Sequence, residues 1–499
     1  MKKILLLLVV LGLSHDAEAR AGQLLAGVAK VDITDRDAKP VNDPLYAKAL
    51  VLKDDSTTVV LITVDAVAIG EIGPIGNGYL GTVRAALQKE MQINPSQVIV
   101  NASHCHGLVR ANAAELTIQA VREASKTLTP VKVGAGVGHE NRIMENRRLK
   151  LKNGRETDVR HAYSMPRDED VESIGPIDPE IGLLRLDRLN GQPFAAVYNF
   201  ACHPIIGVPS KGNTADFPAF ASKVIEENLG DGVLALFVQG CGGDINPVTY
   251  KDVRGPRDAE PLGNLLGLSA MRGLRKIQTR ADAPLKVINE ILELPRSADF
   301  EHRIASMEAE QTKLLKSLRG TSLNFKTFLP LFVQYKVAGE FPSYYSHRYL
   351  LDQALGREDM QQHDAENRAN LDAYLQNIEV MEQLTRLQAN LDLQKRHQAR
   401  AVAAASKTVA VEVVGVRIGD FVMVTFPGEL TVEIGLAIKK RAPHPRTFVA
   451  GYTNGYLYYT ATEKQRNNPG YAQEDCDCMV APEWRKLFDE RVDGILKKL

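Results

Sequence analysis

One stretch constrains the fold of this chain more than any other: Val233-Leu234-Ala235-Leu236-Phe237-Val238, a run of apolar residues followed by the loop Gln239-Gly240-Cys241-Gly242-Gly243-Asp244-Ile245-Asn246-Pro247. A strand without polar alternate positions has no face suited to water, so both of its faces must be covered by other layers. Further apolar runs lie at 49–52, 59–64, 98–101 and 195–200, with helix-like stretches at 81–91, 113–125, 218–228 and 261–275 between and after them. Strand and helix in alternation predict an α/β fold, a layered mixed β-sheet core flanked by helices.

The pattern changes after Pro295. Phe300, Ile304, Met307, Gln311, Leu314 and Leu318 recur at steps of four and three, the seam of a helix packed on another helix, and Ser297 suits its N-cap. Residues 357–414 hold no Gly or Pro, and Leu371, Tyr374, Ile378, Met381, Leu384, Leu387 and Leu391 form a second stripe. Residues 296–405 are therefore expected to be a helical insertion, an antiparallel pair of long helices with an aromatic patch at 325–349 between them, serving as a packing arm. Strand signals return at 408–418, turn at Gly419-Asp420, and continue through 421–426, a hairpin, before a helix at 430–441 and a strand at 447–451. The expected organisation is a signal sequence at 1–19, an α/β domain made of 20–295 and 406–499, and the insertion.

The signal reading rests on Met1-Lys2-Lys3, an apolar run over residues 4–13 and the small-x-small site Ala17-Glu18-Ala19, with the mature chain expected to start near Arg20. The greasy run is too short for a spanning helix, and none of spanning length follows. The expectation is an exported protein, periplasmic or secreted, without a transmembrane segment. Lys plus Arg total 61 and Asp plus Glu 61, with no basic stripe of the kind nucleic acid requires. Cys105, Cys202, Cys241, Cys476 and Cys478 are too few and too scattered for a disulfide scaffold.

Polar residues with chemical potential gather at strand ends. Val98-Ile99-Val100-Asn101-Ala102-Ser103-His104-Cys105-His106-Gly107 ends one apolar run in two histidines, and Ala196-Val197-Tyr198-Asn199-Phe200-Ala201-Cys202-His203-Pro204 ends another in one. In an extended backbone His104 and His106 would share a face, and with His203 they could seat a transition metal above the sheet. Phe426-Pro427-Gly428-Glu429 presents a carboxylate after a further strand, and the stretch from Gly451 to Tyr459 is dense in phenols. Ligands in open α/β sheets bind beyond the carboxyl ends of strands, where all these residues are expected. Asp244 reads as a turn-stabilising or ligand-orienting carboxylate, and Asp216, before Phe217-Pro218, as a helix N-cap.

These segments, in this order, resemble the catalytic domain of the neutral/alkaline non-lysosomal ceramidase family. The likeness is carried by Ala26-Gly27-Val28-Ala29-Lys30-Val31-Asp32-Ile33-Thr34, Ser103 to Gly107, Asn146-Arg147-Arg148, Gly175-Pro176-Ile177-Asp178-Pro179-Glu180, Asn199 to Pro204, Gln239 to Pro247, Pro427-Gly428-Glu429 and Asn454-x-Tyr456-x-x-Tyr459. The resemblance implies one zinc ion per chain, with His104, His203 and Glu429 as ligands and Tyr459 as a phenol ligand or an oxyanion donor. It implies a catalytic role near the ion for His106, substrate contact for Arg147 and a further active-site phenol at Tyr471. Family members carry a Ser in the Gly-Asp-x-Ser-Pro turn; here the turn is Gly243-Asp244-Ile245-Asn246-Pro247, so Asn246 can donate a hydrogen bond but cannot be a nucleophile. The chain is also expected to lack the C-terminal sandwich domain of the family. The implied activity is zinc-dependent hydrolysis of an N-acyl amide, ceramide or a related N-acyl lipid, by activated water, with transient contact at a membrane surface. A metal-dependent esterase or phosphoesterase, and a non-catalytic binding protein on the same scaffold, are the alternatives.

Overall fold

Three strand–helix–strand units, in which parallel neighbours are joined by one helix, organise the molecule. The computed structural model describes residues 23–159, 166–248, 250, 255–337, 346–404, 406–470 and 472–499, so the signal sequence read at 1–19 lies outside the described residues. The strands are β1 (Leu25–Asp32), β2 (Tyr46–Lys53), β3 (Thr58–Val64), β4 (Val98–Ala102), β5 (Thr129–His139), β6 (Met144–Asn146), β7 (Arg148–Leu151), β8 (Glu156–Asp158), β9 (Val171–Ile174), β10 (Glu180–Arg188), β11 (Pro193–Phe200), β12 (Leu234–Gln239), β13 (Ile245–Pro247), β14 (Leu285–Pro295), β15 (Thr408–Ile418), β16 (Phe421–Thr425) and β17 (Thr447–Ala450). The helices are α1 (Tyr79–Met91), α2 (Ala113–Lys126), α3 (Phe217–Leu229), α4 (Ala259–Leu274), α5 (Phe300–Ser317), α6 (Phe325–Val337), α7 (Ser346–Ala354), α8 (Asp359–Ala403), α9 (Val432–Arg441), α10 (Glu463–Arg466), α11 (Gln473–Cys476) and α12 (Trp484–Lys498).

An eight-stranded mixed sheet runs β12-β11-β10-β5-β1-β2-β3-β4. Its two halves are paired in the sheet where Leu25 and Ala26 of β1 meet Pro130 and Thr129 of β5. Each outer edge is a parallel pair, β3 with β4 and β11 with β12. A second sheet, β14-β15-β16-β17, ends in a parallel pair as well, β16 with β17. Parallel neighbours need a crossover, and α1, α3 and α9 supply the three.

Side-chain alternation then sets the layers. Leu234, Leu236 and Val238 of β12 share a core with Val414, Met423 and Phe448 of the second sheet, while Ala235 and Phe237 share one with Phe217 and Ile225 of α3 and Leu266 of α4. Along β3 the same division separates Val59 and Leu61 from Val60, Ile62 and Val64, the latter packed with Val83 of α1 and Val121 of α2. The outer face of the second sheet is covered by α9 and α12, through Ile434, Ile438, Trp484 and Phe488. The order is helices, large sheet, small sheet, helices. The fully covered strand expected at 233–238 is present, and the fold is the layered mixed α/β architecture read from the sequence.

Two central strands were not visible in the sequence. β5 carries Gly134, Gly136 and Gly138, where β-branched residues would signal a strand. A Cβ at Gly134 would lie 2.3 Å from the Gln278 carbonyl oxygen, so the segment following α4 packs too close for any side chain there. β10 is the other, paired to β5 from Glu180↔His139 to Arg188↔Val131.

Helices α5 to α8 occupy the region read as an insertion. α5 and α8 are antiparallel, since Arg303, Gln311 and Arg319 meet Gln394, Gln388 and Asn377 in turn. Of the stripe expected on α8, Leu371, Leu387 and Leu391 are buried but Met381 is exposed, and Val380 turns inward instead. A straight helix drifts against a strict seven-residue repeat, which accounts for the shift. α5 starts after Asp299 rather than Ser297, whose hydroxyl donates to the Asp299 carboxylate. The end of α8 is tied to the α/β body: Gln394 donates to the Cys476 carbonyl at 2.7 Å, and His397 lies 2.6 Å from Asp477. No helix among the described residues is long and apolar enough to cross a membrane.

A few buried amides stitch the three units together at the carboxyl ends of their strands. Asn101, at the end of β4, accepts from the Gln239 backbone N–H at 2.9 Å and donates to the Gly451 carbonyl at 2.8 Å and the Thr453 hydroxyl at 3.0 Å, touching all three units. Asn199 of β11 donates to the carbonyls of Val238 and Val449. Replacing Asn101 leaves a buried N–H and carbonyl unpaired, at about 1–3 kcal/mol each. Asn101→Ala should therefore lower unfolding free energy by about 3 kcal/mol in a denaturant titration; a change under about 0.5 kcal/mol would mean that this amide does not hold the units together.

Candidate metal centre

The three units bring their loops to one point. His104 follows β4, His203 follows β11, and Glu429 follows β16; one ligand atom from each lies within 4.8 Å of the other two, and all three residues are buried. His104 does not reach this point as part of an extended strand. β4 ends at Ala102, and His104 has a φ of +68°. Its backbone N–H donates to Ala66 at 2.9 Å. Tyr452, Asn454 and Tyr458 also have positive φ, at +53°, +58° and +59°. Such backbone costs about 1 kcal/mol or more per residue outside glycine, and it is held here by the surrounding hydrogen bonds.

The tautomers are set by the backbone. A carbonyl can only accept, so His104 Nδ1 donates to Val67 at 2.5 Å and His203 Nδ1 donates to Ile245 at 3.0 Å. Each neutral ring then has only its Nε2 lone pair left. Those nitrogens face Glu429 Oε2, at 3.1 Å from His203 and 3.6 Å from His104. In that neutral form two lone pairs and a carboxylate oxygen repel one another unless a cation, a proton on Nε2 or a metal ion, lies among them. Neutral imidazole with its other nitrogen bonded to a carbonyl is also the usual form of a metal-ligating histidine. The donor set fits a divalent cation.

Glu429 has its own supports. Tyr456 donates its hydroxyl to Oε1, and Tyr452 donates to Oε2 at 3.2 Å. Burial by itself would raise this carboxyl, but the His104 and His203 rings, when a proton on Nε2 makes them cationic, and the Tyr456 hydroxyl hold it well below the usual carboxylate range. It is a buried anion, and burial is the condition under which a bound cation gains most.

The other expected residues divide into those on the cavity and those behind it. A cavity of about 960 Å³ opens over the cluster, with His106, Arg147 and Tyr459 in its wall beside His104, His203 and Glu429. His106 is exposed, its ring centroid 5.9 Å from that of His104. Arg147 is fully buried and already engaged: it donates to Glu474 at 2.6 Å, Asn246 at 3.2 Å, the Gly243 carbonyl at 2.6 Å and the Tyr459 hydroxyl at 2.9 Å. Asn246 is absent from the described residues of the cavity wall; its amide oxygen steadies Arg147 from behind. Tyr471 lies outside the described residues. Asp244 accepts from the Val432 backbone N–H at 2.8 Å, capping α9 from another unit, and burial pushes it up to about 6. Asp216 is the N-cap of α3, as read from the sequence.

Sequence reading missed Tyr452 and Tyr456 as donors to Glu429, Glu474 as the partner of Arg147, and the pairing of His397 with Asp477. The phenol density after the last strand was visible; which hydroxyl reaches which carboxylate depends on turns with left-handed residues. The cysteine pair at 476 and 478 is buried and unoxidised.

No protein-family profile matches the sequence, and no curated protein matches it. Solved structures do match in fold. A neutral ceramidase from Pseudomonas aeruginosa superposes with a TM-score of 0.59 at 16% identity, over 96% of this chain and 75% of that one. A ceramidase complexed with C2 gives 0.57 at 16% identity, over 95% and 75%. At that identity the likeness is one of fold.

Groups that orient a ligating carboxylate tune its affinity by about 10–100-fold. Tyr456→Phe should weaken divalent-cation binding by that factor in a chelator competition while leaving the fold intact by circular dichroism. An unchanged affinity would remove Tyr456 from the ligand support.

Proposed function

We propose that the chain is an exported zinc-dependent hydrolase cleaving the N-acyl amide bond of ceramide or a related N-acyl lipid. The observation that carries this reading is the buried His104–His203–Glu429 group, whose ring N–H donors are committed to backbone carbonyls, at the base of a large cavity. The ceramidase-like fold supports the choice of hydrolase and of N-acyl substrate. Apolar side chains in the wall, among them Ile72, Ile205, Val208 and Leu393, suit an acyl chain.

His104, His203 and Glu429 would hold the ion, with Tyr459 as the fourth donor, its hydroxyl fixed by Arg147. When bound, zinc supplies a Lewis acid that polarises a carbonyl and brings the pKa of water from 15.7 to about 7. His106, exposed in the wall close to His104, moves the proton from the attacking water to the leaving amine. Arg147 presents positive charge beside Tyr459 where an oxyanion would develop, and Asn246 keeps it there. Tyr471 adds a further phenol. Asn246 has no hydroxyl, so attack by water replaces a covalent route at that position.

The test is metal analysis with a panel of fluorogenic N-acyl, ester and phosphoester substrates. The expected result is one zinc per chain and N-acyl turnover that His203→Ala or a chelator abolishes. His106→Ala should lower kcat by about 10²-fold without loss of zinc, the usual worth of a general acid–base. Two metals per chain with phosphoester preference, or no turnover at full zinc occupancy, would contradict the proposal.

A further inference from the structure

The mouth of the cavity is basic although the chain as a whole carries no net charge. Four of its wall residues, Lys39, Lys211, Arg257 and Arg396, are exposed or half-buried, whereas His104, His203 and Glu429 are buried, so the four surround the opening and the metal group lies at the base. Among the described residues none of the four has an ion-pair partner. The carboxylates of the same wall are all committed: Glu429 to the metal group, Asp216 to the backbone N–H groups of Gly207 and Phe217, and Asp477 to His397. Among the described residues the four cations at the opening are therefore not paired with any carboxylate of the wall. A cleft lined by one sign of charge focuses its field on the path of an incoming ligand.

The four also have defined anchorage. Lys39 and Lys211 flank loops that are laced together, since Asn213 donates to the Pro40 carbonyl at 2.7 Å and Asn42 donates to that of Asn213 at 2.8 Å. Arg257 lies over the Tyr250 ring, 4.8 Å from its centroid. Arg396 comes from α8, one residue before the His397 that ties this helix to Asp477. Basic groups thus face the opening from the α/β body and from the helical arm together, above walls that are in part apolar.

We propose that the substrate is an anionic amphiphile: an N-acyl compound whose amine half carries a carboxylate or phosphate, held by Lys39, Lys211, Arg257 and Arg396 while the amide lies at the metal group. This rests on the hydrolase reading for the reaction, but not for the binding preference. A pair of compounds separates the two: N-dodecanoylglycine and its neutral amide, titrated calorimetrically into the zinc-loaded full chain at low salt and assayed for cleavage. Wild type should bind the anion about tenfold more tightly than the amide, and raising salt toward 0.5 M should erase most of that ratio, as screening predicts. Changing the four residues together to Gln should erase it as well and raise KM for the anion with little change in kcat. If the fourfold variant does not fold, Arg396→Glu, on the exposed face of α8, should lower the ratio by itself. A tenfold preference without cleavage of either compound sustains this inference and overturns the hydrolase reading. Equal binding of both compounds by wild type, or a preference that survives in the variant, overturns the inference, the latter because the carboxylate would then be held by the metal. N-Dodecanoyl ethanolamine phosphate, run alongside, distinguishes a phosphate from a carboxylate preference.

Discussion

Glu429 puts a negative charge on a buried carboxylate, 3.1 Å from one imidazole nitrogen and 3.6 Å from another, in rings whose Nδ1 protons are used on backbone carbonyls. Charges buried in this way are costly unless they are paired and hydrogen-bonded. The surrounding architecture supplies the hydrogen bonds, two tyrosine hydroxyls on the carboxylate and two backbone carbonyls on the rings, around three groups that could hold a cation. Because each ligand belongs to a different strand–helix–strand unit, the site exists only while the units keep their relative positions. Asn101 and Asn199 fix those positions with bonds that cross from unit to unit.

Residues local to a strand end were legible in the sequence. The apolar run at 233–238 predicted a strand covered on both faces, and the histidines at 104 and 203 and the carboxylate at 429 were singled out because they followed such runs. Other features could not be read that way. β5 is built from glycines demanded by the close approach of the segment after α4, which has no local signature. Alternation in an extended strand would have aimed His104 and His106 alike; the left-handed residue at 104 shows that the turn beyond β4 sets the direction instead. The family resemblance implies that Arg147 contacts substrate, but its pairing with Glu474 comes from α11, far along the chain.

The helical region has a similar history. Its repeat predicted two packed helices, and α5 with α8 are such a pair. The repeat did not predict that the last turns of α8 would close one side of the cavity, because Gln394, Arg396 and His397 are polar and lie beyond the last apolar residue of the stripe. Packing alone would leave this arm indifferent to the site; the bonds to Cys476 and Asp477 make its end part of the wall. Left-handed backbone and buried charge gather at this one end of the sheets.

The central claim, that three separate strand ends share one cation, is tested most directly by anomalous diffraction at the zinc absorption edge on crystals of the zinc-loaded protein. The account predicts a single strong peak bonded at about 2.0–2.2 Å to Nε2 of His104, Nε2 of His203 and a carboxylate oxygen of Glu429. A peak bound elsewhere, or no peak among these three side chains at full zinc loading, would contradict it.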